Sequence, residues 1–243
     1  DDMGLGKTVQ VLAYLEKMRT ADKSARVLLV LPASLMGNWQ KEAEKFAPNM
    51  KISVLHGKKA EVLEEELRED SAFLTITTYG MVPRIRGLQE KKWDCVVLDE
   101  AQAIKNPGTK QTREIKKLSS KMRIVMTGTP IENELMNLWS LFDFLNKGLL
   151  GSAKEFHEYC KALEDRPEGY MKLKAMVSPF MLRRLKTDKT IISDLPEKLE
   201  MVEHIALSKK QAVLYRKAVA DMERRLEDAE GVGRKGLVLS TIL

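Results

Sequence analysis

Residues 1–8 read Asp-Asp-Met-Gly-Leu-Gly-Lys-Thr, and residues 96–102 read Val-Val-Leu-Asp-Glu-Ala-Gln. The first stretch ends in a Gly-Lys-Thr turn, and the apolar spacing of the residues after it is typical of a helix. A glycine-rich turn that opens a helix presents backbone N–H groups to phosphate oxygens. The second stretch places two carboxylates after an apolar run, where a strand of a parallel sheet would end. Together the two stretches predict an α/β fold that binds a nucleoside triphosphate.

The glycine-rich turn contains each kind of group that a bound triphosphate needs. Gly4 and Gly6, on either side of Leu5, allow a tight turn and a close approach of the backbone to the phosphates. Lys7 is expected to reach the β- and γ-phosphates, and the hydroxyl of Thr8 is expected to bind Mg²⁺. The alternative for this stretch alone is a glycine-rich turn that only begins a helix.

The first position of the turn departs from the general phosphate-loop pattern, because Asp1 stands where a glycine is usual. The loop also begins at residue 1, so we expect the chain to be a fragment that lacks the strand leading into the loop. Without that strand, the sheet is expected to have a gap that exposes the backbone of the neighbouring strands.

The pair Asp99 and Glu100 follows the apolar run Cys95–Leu98. Ligands of open parallel sheets bind at the carboxyl ends of the strands, where this pair is expected to lie. Asp99 is predicted to hold Mg²⁺ through water, and Glu100 to orient and deprotonate an attacking water molecule. On its own the pair would more often be a solvated strand end, but its combination with the phosphate loop favours the catalytic interpretation.

Length and composition are those of a globular protein. The 243 residues are 44% hydrophobic and 31% charged, and the apolar runs are too short to span a bilayer, so no membrane partner is expected. Cys95 and Cys160 are interpreted as reduced thiols, and the three histidines have no metal-ligand spacing. The net charge of +6 is compatible with a nucleic-acid partner but does not establish one.

Short apolar runs alternate with helical stretches along the first half of the chain. The runs predict buried strands over Val27–Leu31, Ile52–Leu55, Phe73–Thr77, Cys95–Leu98 and Arg123–Met126. The helical stretches are residues 7–18, 35–47, 58–69 and 109–120. Strands that alternate with helices predict a parallel sheet with right-handed crossovers.

After Thr129 the alternation stops and the pattern becomes helical. Residues 133–146 carry large apolar side chains on one helical face, including Trp139, which is interpreted as a core residue rather than a platform for base stacking. Residues 153–182 are also predicted to be helical, with a break at Pro167.

The last part of the chain is predicted to begin with a short strand over residues 201–207. Ser208 and Gln211 have the spacing of a capping box, which predicts a charged helix over residues 209–229. The predicted domains are an ATP-binding lobe over residues 1–130, a helical protrusion over 131–200 and the start of a second lobe over 201–243.

Several segments together resemble the SWI/SNF-type ATPases, which are DNA translocases and remodellers within helicase superfamily two. The strongest matches are residues 1–8, Asp-Glu-Ala-Gln-Ala-Ile-Lys-Asn at 99–106 and Thr-Gly-Thr-Pro-Ile-Glu-Asn at 127–133. Weaker matches occur in the family's order around Leu31-Pro-Ala-Ser-Leu with Trp39, Thr77-Thr-Tyr-Gly, Leu138–Leu145, Phe180-Met-Leu-Arg-Arg and Asp194-Leu-Pro-Glu-Lys. The resemblance covers essentially the whole chain and implies a RecA-like P-loop lobe with a parallel sheet and a helical protrusion.

The resemblance implies a role for particular residues in ATP binding and hydrolysis. Lys7, Thr8, Asp99 and Glu100 match the family's ATPase residues. Gln102, in the last place of the acidic box, and Thr127 are implied to bind the nucleotide.

The resemblance also implies residues that contact a DNA backbone: Ser34, Thr78, Lys105, Gly128 and Thr129. Short hydroxyl side chains and backbone N–H groups suit phosphate contacts that do not read bases. The alternatives are that Ser34 only caps the following helix and that Thr78 only ends a strand. Arg183 and Arg184 are interpreted either as a phosphate contact or, slightly preferred, as a brace at the junction between lobes.

The function implied by the resemblance is ATP-driven movement along double-stranded DNA, with ATP and Mg²⁺ as cofactors and nucleoprotein complexes as possible substrates. A second RecA-like lobe of the same polypeptide would supply arginines to the site, so this chain alone is expected to hydrolyse ATP poorly or not at all. The alternatives are a strand-separating helicase and a non-enzymatic nucleotide-binding scaffold. The expected location is the bacterial cytoplasm, at the nucleoid, for a prokaryotic source and the nucleus for a eukaryotic one.

Overall fold

The computed structural model describes residues 1, 4–128, 134–164, 168–186, 188, 201–203 and 205–227. The chain divides into two compact units, Asp1–Asp194 and Leu195–Leu243. The first unit contains a parallel sheet with flanking helices. The second contains one long described helix.

The sheet has five strands in the order β2-β3-β1-β4-β5, and all four pairings are parallel. The strands are β1 Val27–Leu31, β2 Ile52–Leu55, β3 Leu74–Thr78, β4 Trp93–Leu98 and β5 Ser120–Val125. The predicted α/β class and parallel sheet are therefore confirmed. The register places Leu31 beside Thr78 and Val30 beside Leu98, so the ends of β1, β3 and β4 lie at the same edge.

The central strand β1 explains the position of the core. All five of its residues are buried, as expected for a parallel strand that is covered on both faces. Leu28 and Val30 belong to the apolar cluster on one face, whereas Val27, Leu29 and Leu31 belong to the cluster on the other. The period of two along a strand thus divides a continuous apolar run between two cores.

Helices connect the strands and form the appendage. The α-helices of the sheet unit are α1 Lys7–Ala21, α2 Met36–Phe46, α3 Ala60–Glu69, α4 Gly87–Glu90, α5 Lys110–Lys116, α6 Leu135–Leu145, α7 Ala153–Glu164 and α8 Glu168–Val177. Short 3-10 helices lie at Ala33–Leu35, Ala101–Ile104 and Ser178–Phe180. The second unit contains α9 Lys209–Glu227. None of the described helices has the length and apolar character that crossing a bilayer would require.

Helix α6 joins the appendage to the sheet. On one side of α6, Leu141 and Phe144 pack into the core cluster beneath β1 and β4. On the other side, three residues of α6 pack against α7 and α8; this cluster contains Leu138, Trp139, Phe142, Phe156, Leu173 and Val177. The indole N–H of Trp139 donates to the carbonyl oxygen of Gly151 at 3.0 Å. Trp139 is therefore a core residue, as expected, because its ring and its polar edge are both engaged.

The capping box predicted at the start of α9 is present. The side-chain oxygen of Gln211 accepts from the backbone N–H of Ser208 at 3.0 Å, and the hydroxyl oxygen of Ser208 accepts from the backbone N–H of Gln211 at 3.3 Å. The described part of the helix ends at Glu227, so the predicted last residues lie outside the described part of the chain.

Several predicted limits differ from the structure; the strand predicted over Arg123–Met126, for example, is Ser120–Val125, and two helix ends and one strand are wrong. The helix predicted to reach residue 120 ends at Lys116, because residue 120 already pairs with Trp93 in the sheet. The helix predicted to reach residue 182 ends at Val177, and Pro179 in the next turn disfavours continuation of the α conformation. Residues 201–203 and 205–207 are not a strand, and Met201 and Ile205 are exposed.

The expected gap in the sheet is also wrong for the five described strands. They follow one another without an interruption in hydrogen bonding, and β2 and β5 are the edges. Every interior position is already filled by a paired strand, so only the edges remain open for a further strand. The domain limits at 130 and 200 remain predictions.

Replacement of Phe144 should destabilise the first unit strongly. Phe144 is fully buried between α6 and the sheet, so Phe144→Ala is expected to lower the free energy of unfolding by about 3–5 kcal/mol. Urea denaturation measures this change, with Tyr170→Ala on the exposed surface of α8 as the control, expected within about 0.5 kcal/mol of the unmutated chain. Equal effects of the two substitutions would contradict the assigned core.

Candidate functional site

The phosphate loop precedes α1 and has the backbone conformation that its glycines predict. Gly4 and Gly6 have positive φ angles of 82° and 69°, and Gly6 is the N-cap of the helix. Residues with a Cβ rarely adopt this conformation, so both positions favour glycine. The side-chain amide of Gln10 donates to the carbonyl oxygens of Leu5 at 2.9 Å and Gly6 at 3.2 Å, which holds the loop onto the helix. The first N–H groups of α1 have no acceptor within the helix and are suited to bind an anion.

Lys7 and Thr8 are the first two residues of α1, and both are half-buried. The ammonium group of Lys7 donates to the main-chain oxygen of Asp1 at 3.0 Å, so its side chain turns back along the loop. The charge of Lys7 also lowers the pKa of Asp99, so it acts on the carboxylate at the end of β4.

Asp99 is the first residue after β4 and is 6% exposed. Its backbone N–H donates to Val30 at 2.9 Å, which fixes the residue to the end of β1. One carboxylate oxygen accepts from the indole N–H of Trp39 at 2.7 Å, and the other accepts from the backbone N–H of Glu100 at 2.9 Å.

Burial raises the pKa of the Asp99 carboxyl above its ordinary value, since the charged form is poorly solvated there. The bonds from Trp39 and Glu100 and the charge of Lys7 act in the opposite direction, and the negative charge of Glu100 adds to the increase. The net increase means that an ionised Asp99 costs free energy in the protein without a bound cation. A divalent cation at this carboxylate would offset that cost.

Glu100 has a strained backbone. Its φ of 49° and ψ of 54° lie in the left-handed region, and among the described residues it is the only non-glycine with positive φ. Such a conformation costs about 1–3 kcal/mol and persists where surrounding contacts enforce it. The backbone N–H of the next residue, Ala101, donates to Met126 at 3.0 Å, which fixes the turn against the end of β5.

A chain of side-chain hydrogen bonds connects Glu100 to the loop that follows β5. The amide group of Gln102 donates to the carboxylate of Glu100 at 2.8 Å, and the hydroxyl of Thr127 donates to the side-chain oxygen of Gln102 at 3.1 Å. Gly128 is the next residue and is half-buried. The structure therefore brings together the acidic box and Thr127, the first residue of the Thr-Gly-Thr-Pro-Ile-Glu-Asn stretch.

The residues predicted to contact DNA follow the carboxyl ends of different strands. Ser34 lies in the 3-10 helix after β1, Thr78 ends β3, and Lys105 follows the 3-10 helix after β4. Ser34 and Lys105 are exposed, whereas Thr78 is buried. Gly128 follows β5, and Thr129 lies outside the described residues.

The proposed capping role of Ser34 is wrong. Helix α2 begins at Met36 with Leu35 as its N-cap, and no side chain caps it. Thr78 is the last residue of β3, which agrees with its structural interpretation. Contact of these residues with DNA remains a prediction.

Trp39 and Tyr79 lie in segments that the sequence matches to the family, but their bonds to Asp99 were not predicted. Trp39 is fully buried in α2 and donates to the Asp99 carboxylate, and Tyr79 donates its hydroxyl to the Asp99 main-chain oxygen at 2.7 Å. Burial raises the pKa of Tyr79 well above its ordinary value, and the charges of Asp99 and Glu100 add to the increase, so its hydroxyl remains a donor. The available signal was that a buried Trp or Tyr needs a hydrogen-bond partner.

Comparison with known families agrees with this arrangement. The chain matches the model of the SNF2-related domain over residues 1–242. The chain belongs to the SNF2-related family. The family expected from the sequence is therefore confirmed.

Members of the SNF2-related family with high similarity include bacterial, yeast and archaeal proteins. The putative ATP-dependent helicase/translocase YwqA of Bacillus subtilis (strain 168) is 40% identical over 248 residues, which cover 100% of this chain and 27% of YwqA. The TATA-binding protein-associated factor MOT1 of Saccharomyces cerevisiae is 33% identical over 261 residues, which cover 95% of this chain and 14% of MOT1. The SWI2/SNF2 ATPase core of Sulfolobus solfataricus in complex with double-stranded DNA is 40% identical with a TM-score of 0.73, and the match covers 100% of this chain and 51% of that chain. This SNF2-related chain thus corresponds to part of the length of each.

The site contains oxygen groups of the kind that bind the magnesium ion of a nucleoside triphosphate. Among the described residues, no three His, Cys, Asp or Glu side chains gather to hold a metal by themselves. Magnesium commonly uses only one or two protein oxygens and completes its shell with water and substrate phosphates. The hydroxyl of Thr8 and the buried carboxylate of Asp99 are suited to this role, and the increased pKa of Asp99 indicates that a cation there would be stabilising.

Trp39→Phe should raise the pKa of the Asp99 carboxyl further, because the indole N–H stabilises the ionised form. Since the folded pKa lies above the unfolded one, the cost in stability is absent below the unfolded value and appears as pH rises through the folded value. The pH range over which this cost appears lies between the unfolded and the folded pKa of Asp99. The substitution should shift its upper limit, the folded pKa, to higher pH. Carboxyl carbon NMR of the labelled chain measures the titration.

Trp93→Phe is the matched control for Trp39→Phe. Trp93 is also a fully buried tryptophan, but its indole N–H donates to Leu88 at 2.9 Å and not to a carboxylate. The control should leave the Asp99 titration in place. An unchanged titration in Trp39→Phe would contradict the assigned hydrogen bond.

Proposed function

We propose that this chain is the ATP-binding lobe of a motor that uses ATP hydrolysis to move along double-stranded DNA and to remodel protein–DNA complexes. The observation that carries the proposal is the hydrogen-bonded acidic box beside the buried Asp99: Glu100 is bonded through Gln102 to Thr127 in the loop after β5. Membership of the SNF2-related family and similarity to an ATPase core in complex with double-stranded DNA support it.

The residues divide the chemistry between binding and water activation. The loop Gly4–Gly6 and the start of α1 bind the phosphates through backbone N–H groups, and Lys7 neutralises their charge. Thr8 and Asp99 would hold the metal ion, which would neutralise charge that develops on the phosphate oxygens. The carboxylate of Glu100 would orient the attacking water and take its proton while the water oxygen bonds to the terminal phosphorus and the bond from that phosphorus to the bridging oxygen breaks, so that ADP leaves with the electron pair.

The hydrogen bond from Gln102 to Glu100 serves this step by positioning the base. It fixes the orientation of the carboxylate, and it leaves the second carboxylate oxygen available for the attacking water. The next bond, from Thr127, makes this orientation depend on the loop after β5. A shift of Thr127 would therefore change the orientation of the Glu100 carboxylate.

The contacts with DNA are assigned to the same edge of the sheet. Ser34, Thr78 and Lys105, with Gly128 and Thr129, would bind backbone phosphates of the duplex, so little base preference is expected. Movement of Gly128 on DNA binding would change the position of the adjacent Thr127 and hence the orientation of the Glu100 carboxylate. This is the proposed route by which DNA stimulates hydrolysis.

The proposal includes a second RecA-like lobe in the same polypeptide. That lobe would supply arginines to the site. In related enzymes such arginines stabilise the transferred phosphoryl group and contribute a factor of about 10³–10⁵ to the rate. The isolated chain is therefore expected to bind ATP but to hydrolyse it slowly. The protein would work on cellular DNA, in the nucleoid of a prokaryote or in the nucleus of a eukaryote.

Strand separation is the second candidate function, since YwqA is described as a helicase/translocase. The sequence Asp-Glu-Ala-Gln followed by Thr-Gly-Thr-Pro differs from the boxes usual in RNA helicases. An unwinding assay with a partial duplex separates the candidates, because a translocase of this type moves along the duplex without releasing a strand.

Glu100→Gln should abolish most hydrolysis in the protein that combines this chain with its second lobe. The amide cannot accept the proton of the attacking water, so a decrease of about 10²–10⁴ in duplex-stimulated turnover is expected while ATP binding is retained. Turnover is measured with and without duplex DNA. Turnover that ignores duplex DNA, or that survives the substitution, would contradict the proposal.

A further inference from the structure

The chain returns to the phosphate loop after helix α8. The 3-10 helix Ser178–Phe180 ends the helical appendage, and Met181 then has an extended backbone with φ −123° and ψ 128°. Residues 181–186, called here the return segment, follow. Two of its three basic residues, Arg184 and Lys186, reach the loop, although more than 170 residues separate them from it in sequence.

Arg184 binds Asp1, at the start of the phosphate loop, and Gln10, in the helix α1 that follows it. Its backbone N–H donates to one carboxylate oxygen of Asp1 at 2.9 Å, and its Nε donates to the other at 3.1 Å. Its Nη2 also donates to the second oxygen and to the side-chain oxygen of Gln10 at 2.6 Å. The Asp1 side chain is 7% exposed and that of Arg184 26% exposed, so this ion pair is more shielded than a surface pair.

The partners of Arg184 are the residues that shape the loop. Gln10 uses its amide group to hold the carbonyl oxygens of Leu5 and Gly6, and Asp1 uses its main-chain oxygen to hold the ammonium group of Lys7. The guanidinium group therefore acts on the same side chain that holds the glycine turn. It also acts on the residue that accepts from the phosphate-binding lysine.

Lys186 brings a second ammonium group to the loop. Its Nζ lies 3.2 Å and its Cε 3.5 Å from the position that a Cβ on Gly4 would occupy. The absence of a side chain at Gly4 thus leaves room for Lys186 as well as for the turn. The return segment and the loop also border one cavity of about 390 Å³, lined among others by Asp1, Lys7, Thr127, Met181 and Arg183.

We propose that the return segment is part of the nucleotide site, with Lys186 as a second phosphate-binding lysine and Arg184 as a positioning residue for the phosphate loop. The inference rests on the proposed binding of ATP and names a further recognition element for its phosphate groups. An ammonium group beside Gly4 of the phosphate loop adds a charge-assisted contact for a di- or triphosphate and none for a nucleoside. Arg184 acts through Asp1 and Gln10 and does not touch the nucleotide.

The test of Lys186 is the affinity of this chain for fluorescent mant-ATP and mant-AMP in the presence of Mg²⁺. Lys186→Gln should weaken mant-ATP binding about tenfold, because a charge-assisted hydrogen bond is lost. The effect on mant-AMP should be much smaller, and Lys186→Arg should restore most of the affinity. Lys172→Gln, which removes the same charge from an exposed site on α8, is the matched control and should change neither affinity.

The outcomes separate this inference from the proposed function. Binding that Lys7→Ala abolishes but Lys186→Gln leaves unchanged would overturn the role of Lys186 and keep the ATP site. An equal loss for mant-ATP and mant-AMP would also overturn it, since the residue would then act only on the structure. Failure of the unmutated chain to bind mant-ATP would overturn the proposed function together with this inference.

The test of Arg184 is a double-mutant cycle with Asp1, again measured as affinity for mant-ATP. Arg184→Lys keeps the charge but loses the planar guanidinium group that bonds Asp1 and Gln10 together. A loss of about three- to tenfold in affinity for mant-ATP is therefore expected. Asp1→Ala keeps the main-chain oxygen that binds Lys7, and its effect should overlap with that of Arg184→Lys rather than multiply with it. Multiplicative effects, or an equal loss in the control Arg68→Lys on the exposed surface of α3, would overturn the positioning role.

Discussion

The buried carboxylate of Asp99 is the constraint on which the site depends. An acid that is 6% exposed at the end of a central strand is unstable in its charged form unless N–H donors and cations surround it. Trp39 and the backbone of Glu100 provide the donors, and Lys7 provides charge from the phosphate loop. Helix α2, the turn after β4 and the start of α1 are therefore held around one carboxyl group.

The same turn also stores strain at Glu100. The left-handed backbone there directs the chain into the 3-10 helix Ala101–Ile104. The bond from the Ala101 N–H to Met126 and the bond from Gln102 to the Glu100 carboxylate hold the turn in place. Strained residues are retained where a geometry is needed that a relaxed chain would not keep. A base that is fixed by neighbouring loops, and not by its own preferred conformation, can respond to movement of those loops. This property suits a motor in which DNA controls hydrolysis.

Much of this structure could be predicted because its signals are local. The buried strands are short runs of apolar residues, and the phosphate loop and acidic box are contiguous motifs whose residue types already specify their geometry. Boundaries failed where distant partners decide them, as at residue 120, which joins β4 in the sheet. The supporting contacts could not be predicted for the same reason. Trp39 meets Asp99 across 60 residues, and Arg184 meets Asp1 across 183.

A crystal structure of this chain with a non-hydrolysable ATP analogue and Mg²⁺ tests the central claim most directly. The account predicts the terminal phosphates at the N-terminus of α1, in contact with Lys7 and the loop Gly4–Gly6. It also predicts the metal ion between Thr8 and Asp99, with Glu100 facing the terminal phosphate. Phosphates bound away from this loop, or a metal ion that Asp99 does not approach directly or through water, would contradict the account.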